Sequence, residues 1–304
     1  MQVSTGVARL LGLGAVLATL PIIENCGPKP AEFAGRGAYM INKDPGTATA
    51  DFKDPADKRG EMLANIERTP TSLTVKTEDG TIHDLENVPS GGPGYYSGDG
   101  MYAFVTEVPD VDEDGTPDDT FLVFTGNNPN GPQNTEYSVA YQGTAASAET
   151  IARLKGYGGH SATYTGKGTS SFSGAIGNDY INKTGNTAVT VNFGDGLVDG
   201  ELSNMAGGPA LVQNFDTITF IGSLDSATEN SPDINLTNVV LLNGSTVVAN
   251  LSPNSGGFAT LFGPNAGGII GALSGAGALA SDGTVNVNLL GTFWGSTTDN
   301  NPAP

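Results

Sequence analysis

Val239-Val-Leu-Leu-Asn-Gly-Ser-Thr-Val-Val-Ala-Asn-Leu251 is the stretch on which the fold turns. Two apolar runs, Val239–Leu242 and Thr246–Leu251, flank Asn243-Gly244, the dipeptide best suited to the positive backbone angles of a tight hairpin. The same pattern extends outward. Ala188–Phe193 puts Val189, Val191 and Phe193 on one face and Thr190 and Asn192 on the other. Gly194-Asp195-Gly196 then turns the chain and Leu197–Leu202 returns. Ala162–Thr165, Thr217–Ile221, Phe258–Phe262, Ile269–Leu273 and Val285–Trp294 complete a series of short-linked strands. An open sheet exposes unpaired edges, and closure removes them. Residues 157–296 are therefore expected to form an antiparallel up-and-down β-barrel of about eight strands.

Upstream, residues 35–145 read as a smaller β-rich region, which makes the whole chain mainly β. Ser72–Lys76 and Thr81–Leu85 surround Asp79-Gly80, a second hairpin signature. Met101–Val108 and Thr120–Thr125 are β-rich runs on either side of an acidic loop, and Tyr137–Gln142 is a further strand. Ala146–Lys155 is the one helical stretch past residue 26, with Ser147 as N-cap and Glu149 just inside. It is expected to connect the two regions, as a segment over residues 146–156. Residues 297–304, ending Thr298-Asp-Asn-Asn-Pro-Ala-Pro304, read as a frayed tail.

Composition narrows the function. The chain has 304 residues, a net charge of −19 and only 13 Lys plus Arg. Phosphate neutralisation needs basic patches, so nucleic acid is excluded as a partner. Gly is abundant at 44 residues, which suits short strands and tight turns. Cys26 is the only cysteine, so no intrachain disulfide exists. With His83 and His160 as the only histidines, a zinc site built on several Cys and His is ruled out. Neither histidine lies in a nucleophilic triad motif, and the chain reads as non-enzymatic. Both histidines read as exposed rather than ligating.

Residues 1–26 read as a leader. Leu10–Ile23 is almost uninterrupted apolar sequence, too short to span a bilayer comfortably and of the length of a signal-peptide core, with Arg9 before it. No later segment is long and apolar enough for a transmembrane helix. Cys26 follows at the place where a bacterial lipoprotein carries its lipidated cysteine. Ile23 suits that reading, whereas Glu24 and Asn25 replace the small residues expected. Cys26 as a lipid anchor to the outer membrane and Cys26 as an incidental residue both stand. Residues 27–34, with Pro28 and Pro30, read as a linker.

Several segments together resemble a known family, the transferrin-binding-protein-B-like surface lipoproteins. Ala162-Thr-Tyr-Thr-Gly-Lys167 is similar to the opening strand of that family's barrel. Val189-Thr-Val-Asn-Phe-Gly194, with Leu197 and Gly200, resembles its hairpin. Gly257-Phe258, then Phe262-Gly-Pro-Asn-Ala266 and Gly271, is the most specific match. Tyr141-Gln-Gly-Thr144 and the helix after it resemble the family's approach to the barrel. The match covers residues 140–295 and departs at Gly267-Gly268, where the family usually has acidic residues. It implies a surface-exposed bacterial binding protein whose ligand is iron-related, a transferrin-like protein or haem. The "GPNA" run itself reads as a marker of the scaffold rather than a ligand site.

One constellation carries metal chemistry. Asp110-Val-Asp-Glu-Asp-Gly-Thr-Pro-Asp118 places Asp110, Asp112, Asp114 and Asp118 so that their carboxylates converge on one calcium ion. Gly115 permits the bend and the Thr116 carbonyl supplies a further ligand. Position twelve is Phe121, so the bidentate Glu of an EF-hand is missing and a strand-loop-strand site is expected. The competing reading is a solvated acidic hairpin tip. Tyr95 and Tyr96, in Gly91-Gly-Pro-Gly-Tyr-Tyr-Ser-Gly98, contact a partner, ligate haem iron or pack over the sheet. Two functions remain: an exported envelope or surface binding protein, and a calcium-stabilised structural or adhesive envelope protein with no small ligand. A barrel lumen that retains a ligand favours the first, and a packed lumen the second.

Overall fold

The computed structural model describes residues 37–43, 63–68, 71–77, 82–91, 94–107, 121–127, 134–142, 145–166, 170–176, 179–207, 215–253, 255–263 and 265–300. Cys26, the leader, the linker, the Asp79-Gly80 turn and the acidic loop with Asp110, Asp112, Asp114, Thr116 and Asp118 lie outside these residues. Among the described residues the chain is mainly β, with one α-helix.

The first sheet contains β1 (Gly37–Lys43), β2 (Leu63–Arg68), β3 (Ser72–Thr77), β4 (Ile82–Asn87), β5 (Tyr95–Gly98), β6 (Met101–Glu107), β7 (Phe121–Asn127) and β8 (Asn134–Gln142). Strands β2 to β8 form a meander in chain order and β1 pairs with β8 at the far edge. The register sets Val75 opposite His83 and Tyr96 opposite Ala103. Strand alternation then buries Leu73, Val75, Leu85, Tyr96, Met101, Ala103 and Val105 in one small core.

Helix α1 (Ala148–Gly156) follows, started by Ser147, whose Oγ accepts from the Thr150 N–H at 3.1 Å. The second sheet contains β9 (Ser161–Thr165), β10 (Ser170–Ile176), β11 (Asp179–Asn192), β12 (Leu197–Ala206), β13 (Thr217–Leu224), β14 (Asp233–Asn243), β15 (Thr246–Leu251), β16 (Gly256–Phe262), β17 (Gly268–Leu279) and β18 (Asn286–Ser296). These ten strands make an eight-stave ring. Strands β9 and β10 pair with successive parts of the same two neighbours, β11 and β18, and share one stave. Strands β15 and β16 likewise share the stave between β14 and β17. Pairing of β18 with β10 closes the ring in chain order, the up-and-down barrel expected from the sequence.

No strand is expected from the sequence at β1, β2, β5, β10, the first half of β11 or the first half of β14. Gly, Ser and Asn crowd residues 166–187, so period-2 alternation is weak there although the backbone ladder is continuous. Asn243-Gly244 does mark the hairpin, with a shift of one residue. Asn243 pairs with Thr246, and the central residues are Gly244 and Ser245, with Gly244 at φ +57°.

Strands β9, β11, β12, β13 and β14 bury alternate residues, whereas β16 is buried throughout and β17 through Gly275. The backbones of β1 and β8 lie against β17 and β18, which covers their outer face. That is why Ile269–Leu273 is a continuous apolar run rather than an alternating one, and why Phe258–Phe262 is apolar but for Thr260, whose hydroxyl donates to Asp233 at 2.9 Å.

Candidate binding face and the closed end of the barrel

The barrel interior is filled by its own side chains. Phe220 on β13 and Phe293 on β18 belong to the same buried core, with ring centroids 5.1 Å apart. In ring order, β13 and β18 stand four staves apart in either direction, so side chains from opposite walls meet in the middle. Space for Phe220 comes from Gly200 on the adjacent strand, where a Cβ would stand 2.0 Å from the ring.

One end is closed by α1 and the corner after β16. Ile151 and Leu154 of α1 are fully buried in the barrel core. The helix expected as a connector is therefore also a plug. The Tyr164 hydroxyl donates to the Ala266 carbonyl at 2.8 Å. Asn300 Nδ2 donates to both of those oxygens at 2.7 Å, and its Oδ1 meets His160 Nε2 at 2.8 Å. Arg153 of α1 reaches Asn265 Oδ1 at 3.5 Å. Burial raises the Tyr164 pKa, with Asp299 adding to the shift and the Asn300 bond opposing it. The two motifs around Tyr164 and Ala266 thus hold each other, which gives the "GPNA" corner a structural duty. Asn300 is 2% exposed, so the tail expected to fray is pinned as far as that residue. A single polar residue inside Asp-Asn-Asn-Pro gives no sequence signal of burial.

Lys183 on β11 is a second residue the sequence reading passes over. It is 3% exposed on the inward row with Thr187, Val189 and Val191, and its ammonium donates to the Phe215 carbonyl at 2.6 Å. The Phe215 ring centroid lies 4.6 Å away. Burial pushes the Lys183 pKa down, against the opposing pull of Asp216.

Of the two histidines, His160 is half-buried and stacks on Phe193 at 5.7 Å between centroids. His83 corrects the expectation of exposure. It lies on the buried face of β4, and its Nδ1 has no hydrogen-bond partner among the described residues. Its position opposite Val75 in the register and two residues before Leu85, on the same side of the strand, turns it inward.

The two tyrosines part company because neighbours in a strand face opposite ways. Tyr96 is buried in the small core, as the packing alternative requires. Tyr95 lies on the opposite face and joins Tyr102 and Phe104 of β6. Tyr95 and Phe104 have centroids 4.9 Å apart, and Tyr102 meets Phe104 edge-on at 6.1 Å. The preceding loop fixes Tyr95: the Val88 N–H donates to its carbonyl at 3.0 Å, and its ring lies against Gly91. Phe104 remains 43% exposed. Exposed Asp84 and Glu86 of β4 share this face, with Glu86 paired to Ser97 and Ser97 to Tyr102. The Asp99-Gly100 turn, with φ +49° and +76°, draws the Asp99 carboxylate to the Asp84 N–H at 3.3 Å.

Compared with solved structures, the fold is similar to that of transferrin-binding protein B. The structure from Haemophilus parasuis is 12% identical with a TM-score of 0.46, and its alignment covers 86% of this chain and 45% of that one. That from serogroup B Neisseria meningitidis is 10% identical with a TM-score of 0.42, covering 86% and 44%. An intact transferrin-binding protein B with N and C lobes is 11% identical with a TM-score of 0.43, covering 86% and 46%. This chain thus spans less than half the length of those proteins. No family model and no curated protein matches the sequence. Among the described residues no helix is long and apolar enough to cross a membrane, and no group of acidic, His or Cys side chains is arranged to hold a metal.

Proposed function

We propose that the protein is an exported, non-enzymatic bacterial envelope protein that binds a macromolecular partner through its outer surface. The observation that carries this reading is the contrast between its two sheets. The barrel lumen is occupied by Phe220, Phe293 and their neighbours, whereas the first sheet leaves Tyr95, Tyr102 and Phe104 on an outer face. Partly exposed aromatics on a rigid sheet are favoured anchors for a protein partner. The leader-like residues 1–26 support export, and Cys26 is proposed as the anchor to the outer membrane. A transferrin-like protein fits an outer binding face better than haem, which would need an open pocket.

Calcium at Asp110, Asp112, Asp114, Thr116 and Asp118 is a companion proposal. Its support is that β6 and β7, the strands flanking the acidic loop, are adjacent and antiparallel, with Glu107 opposite Phe121. That is the strand-loop-strand setting the spacing calls for.

The test is native mass spectrometry of the full chain isolated from the producing cell's envelope. The expected spectrum shows a complex with a second protein, depleted in Phe104→Ser. A stoichiometric small molecule retained by the chain, with no protein complex, contradicts the proposal.

A further inference from the structure

We propose that the Tyr95–Tyr102–Phe104 face receives a basic segment of its partner, with Lys or Arg side chains seated on the aromatic rings and ion-paired to Glu86 and Asp84. This rests on the reading of that face as a binding surface and specifies the partner's chemistry.

Three observations point to a cation. The rings form a cluster, with neighbouring centroids 4.9 to 6.4 Å apart and planes inclined by 34° to 77°, and an aromatic face attracts a cation placed over it. The exposed polar neighbours on the same face include the carboxylates of Asp84 and Glu86. Glu86 lies in the same cross-strand row as Tyr102, with Ser97 between them. Two strand spacings of about 4.8 Å separate that row's ends, within the span of one extended Arg or Lys and its neighbour in a peptide. The register places Lys76 opposite Ile82, at the far end of the face from Phe104. A net charge of −19 then steers a basic partner toward the molecule from a distance, while the aromatic cluster selects where it docks.

An apolar partner surface fits this face less well, because docking it would desolvate the Glu86 carboxylate and the part of the Asp84 carboxylate that is not bonded to the Thr74 hydroxyl, which donates to Asp84 Oδ1 at 2.8 Å. A guanidinium satisfies both halves of the face at once, since it stacks on aromatic rings and pairs with carboxylates.

The experiment uses the full chain and fluorescent peptides of alternating Arg and Gly, with Gln-Gly and Glu-Gly peptides as controls. The Arg-Gly peptide is expected to bind and the controls to fail. Phe104→Thr and Tyr102→Thr should each weaken binding about threefold, and the pair about tenfold, with strand propensity retained. Glu86→Gln should weaken it about twofold and reduce its salt dependence. Leu197→Thr, an exposed apolar residue on β12 of the barrel, should leave it unchanged. Unaltered melting curves establish that the variants fold, and Glu86→Gln serves if an aromatic variant does not. Equal binding by the double aromatic variant shows that the overall negative charge attracts the peptide diffusely, and overturns the proposal. So does binding of Gln-Gly as tight as Arg-Gly, or no Arg-Gly binding by the native chain. If the peptide fails but Phe104→Ser still abolishes the native complex, the face binds a partner of other chemistry and only this inference falls.

Discussion

Two buried groups pull the pH dependence of stability in opposite directions. Tyr164 keeps its proton in the folded chain at pH values where the unfolded tyrosine, at 10.0, has lost it. Its contribution is therefore complete below pH 10.0 and is lost as pH rises further. Tyr164→Phe should cost about 1 kcal/mol near neutrality and flatten that alkaline loss in denaturant titrations. Lys183 has a folded pKa below its ordinary 10.5, so the native chain releases that proton first. Stability should rise with pH between the lowered pKa and 10.5, and Lys183→Met should abolish the rise. Gly200 is a steric test of the filled lumen: Gly200→Ala should destabilise by about 1–3 kcal/mol, because the added carbon meets the Phe220 ring. None of these three roles is written in local sequence. Tyr164 is visible as an inward strand residue, but its partners Ala266 and Asn300 lie 102 and 136 residues away.

At the scale of elements, α1 is the most legible piece. Ser147, Glu149, Arg153 and Lys155 mark its ends by capping and by charge matched to the helix dipole. What the sequence conceals is its docking, because nine residues reveal an apolar side without revealing what covers it. Leu154→Ala should cost about 2–5 kcal/mol by opening the plugged end, and Ser147→Ala about 1 kcal/mol by uncapping the helix, both read from denaturant midpoints. Strands with clean alternation, such as Val189–Phe193, were equally legible. Strand β12 bends around Asn204 and β14 around Asn238, at φ +54° and +53°, where the pairing slips and the alternation breaks. A bulge resets which residues face inward, so a period-2 pattern read across it fails.

For the whole molecule, the barrel could be read from turns and alternation because each hairpin is local. The candidate face could not, because Tyr95, Tyr102 and Glu86 converge only once β4, β5 and β6 are in register. In the sequence Tyr95 and Tyr96 look equivalent, and only the pairing decides that one is core and the other surface. The calcium proposal belongs at this scale too. Thermal melts of the full chain should shift downward on adding a chelator and recover with excess calcium, and superimposable curves would sink the assignment of Asp110, Asp112, Asp114, Thr116 and Asp118. Binding through the aromatic face is tested by site-specific photo-crosslinking in intact producing cells, with a photoreactive amino acid at position 104 or at exposed Asn250 on the barrel. One discrete protein adduct is expected from position 104 and none from 250. Equal labelling from both positions, or no adduct from 104, would contradict binding through this face.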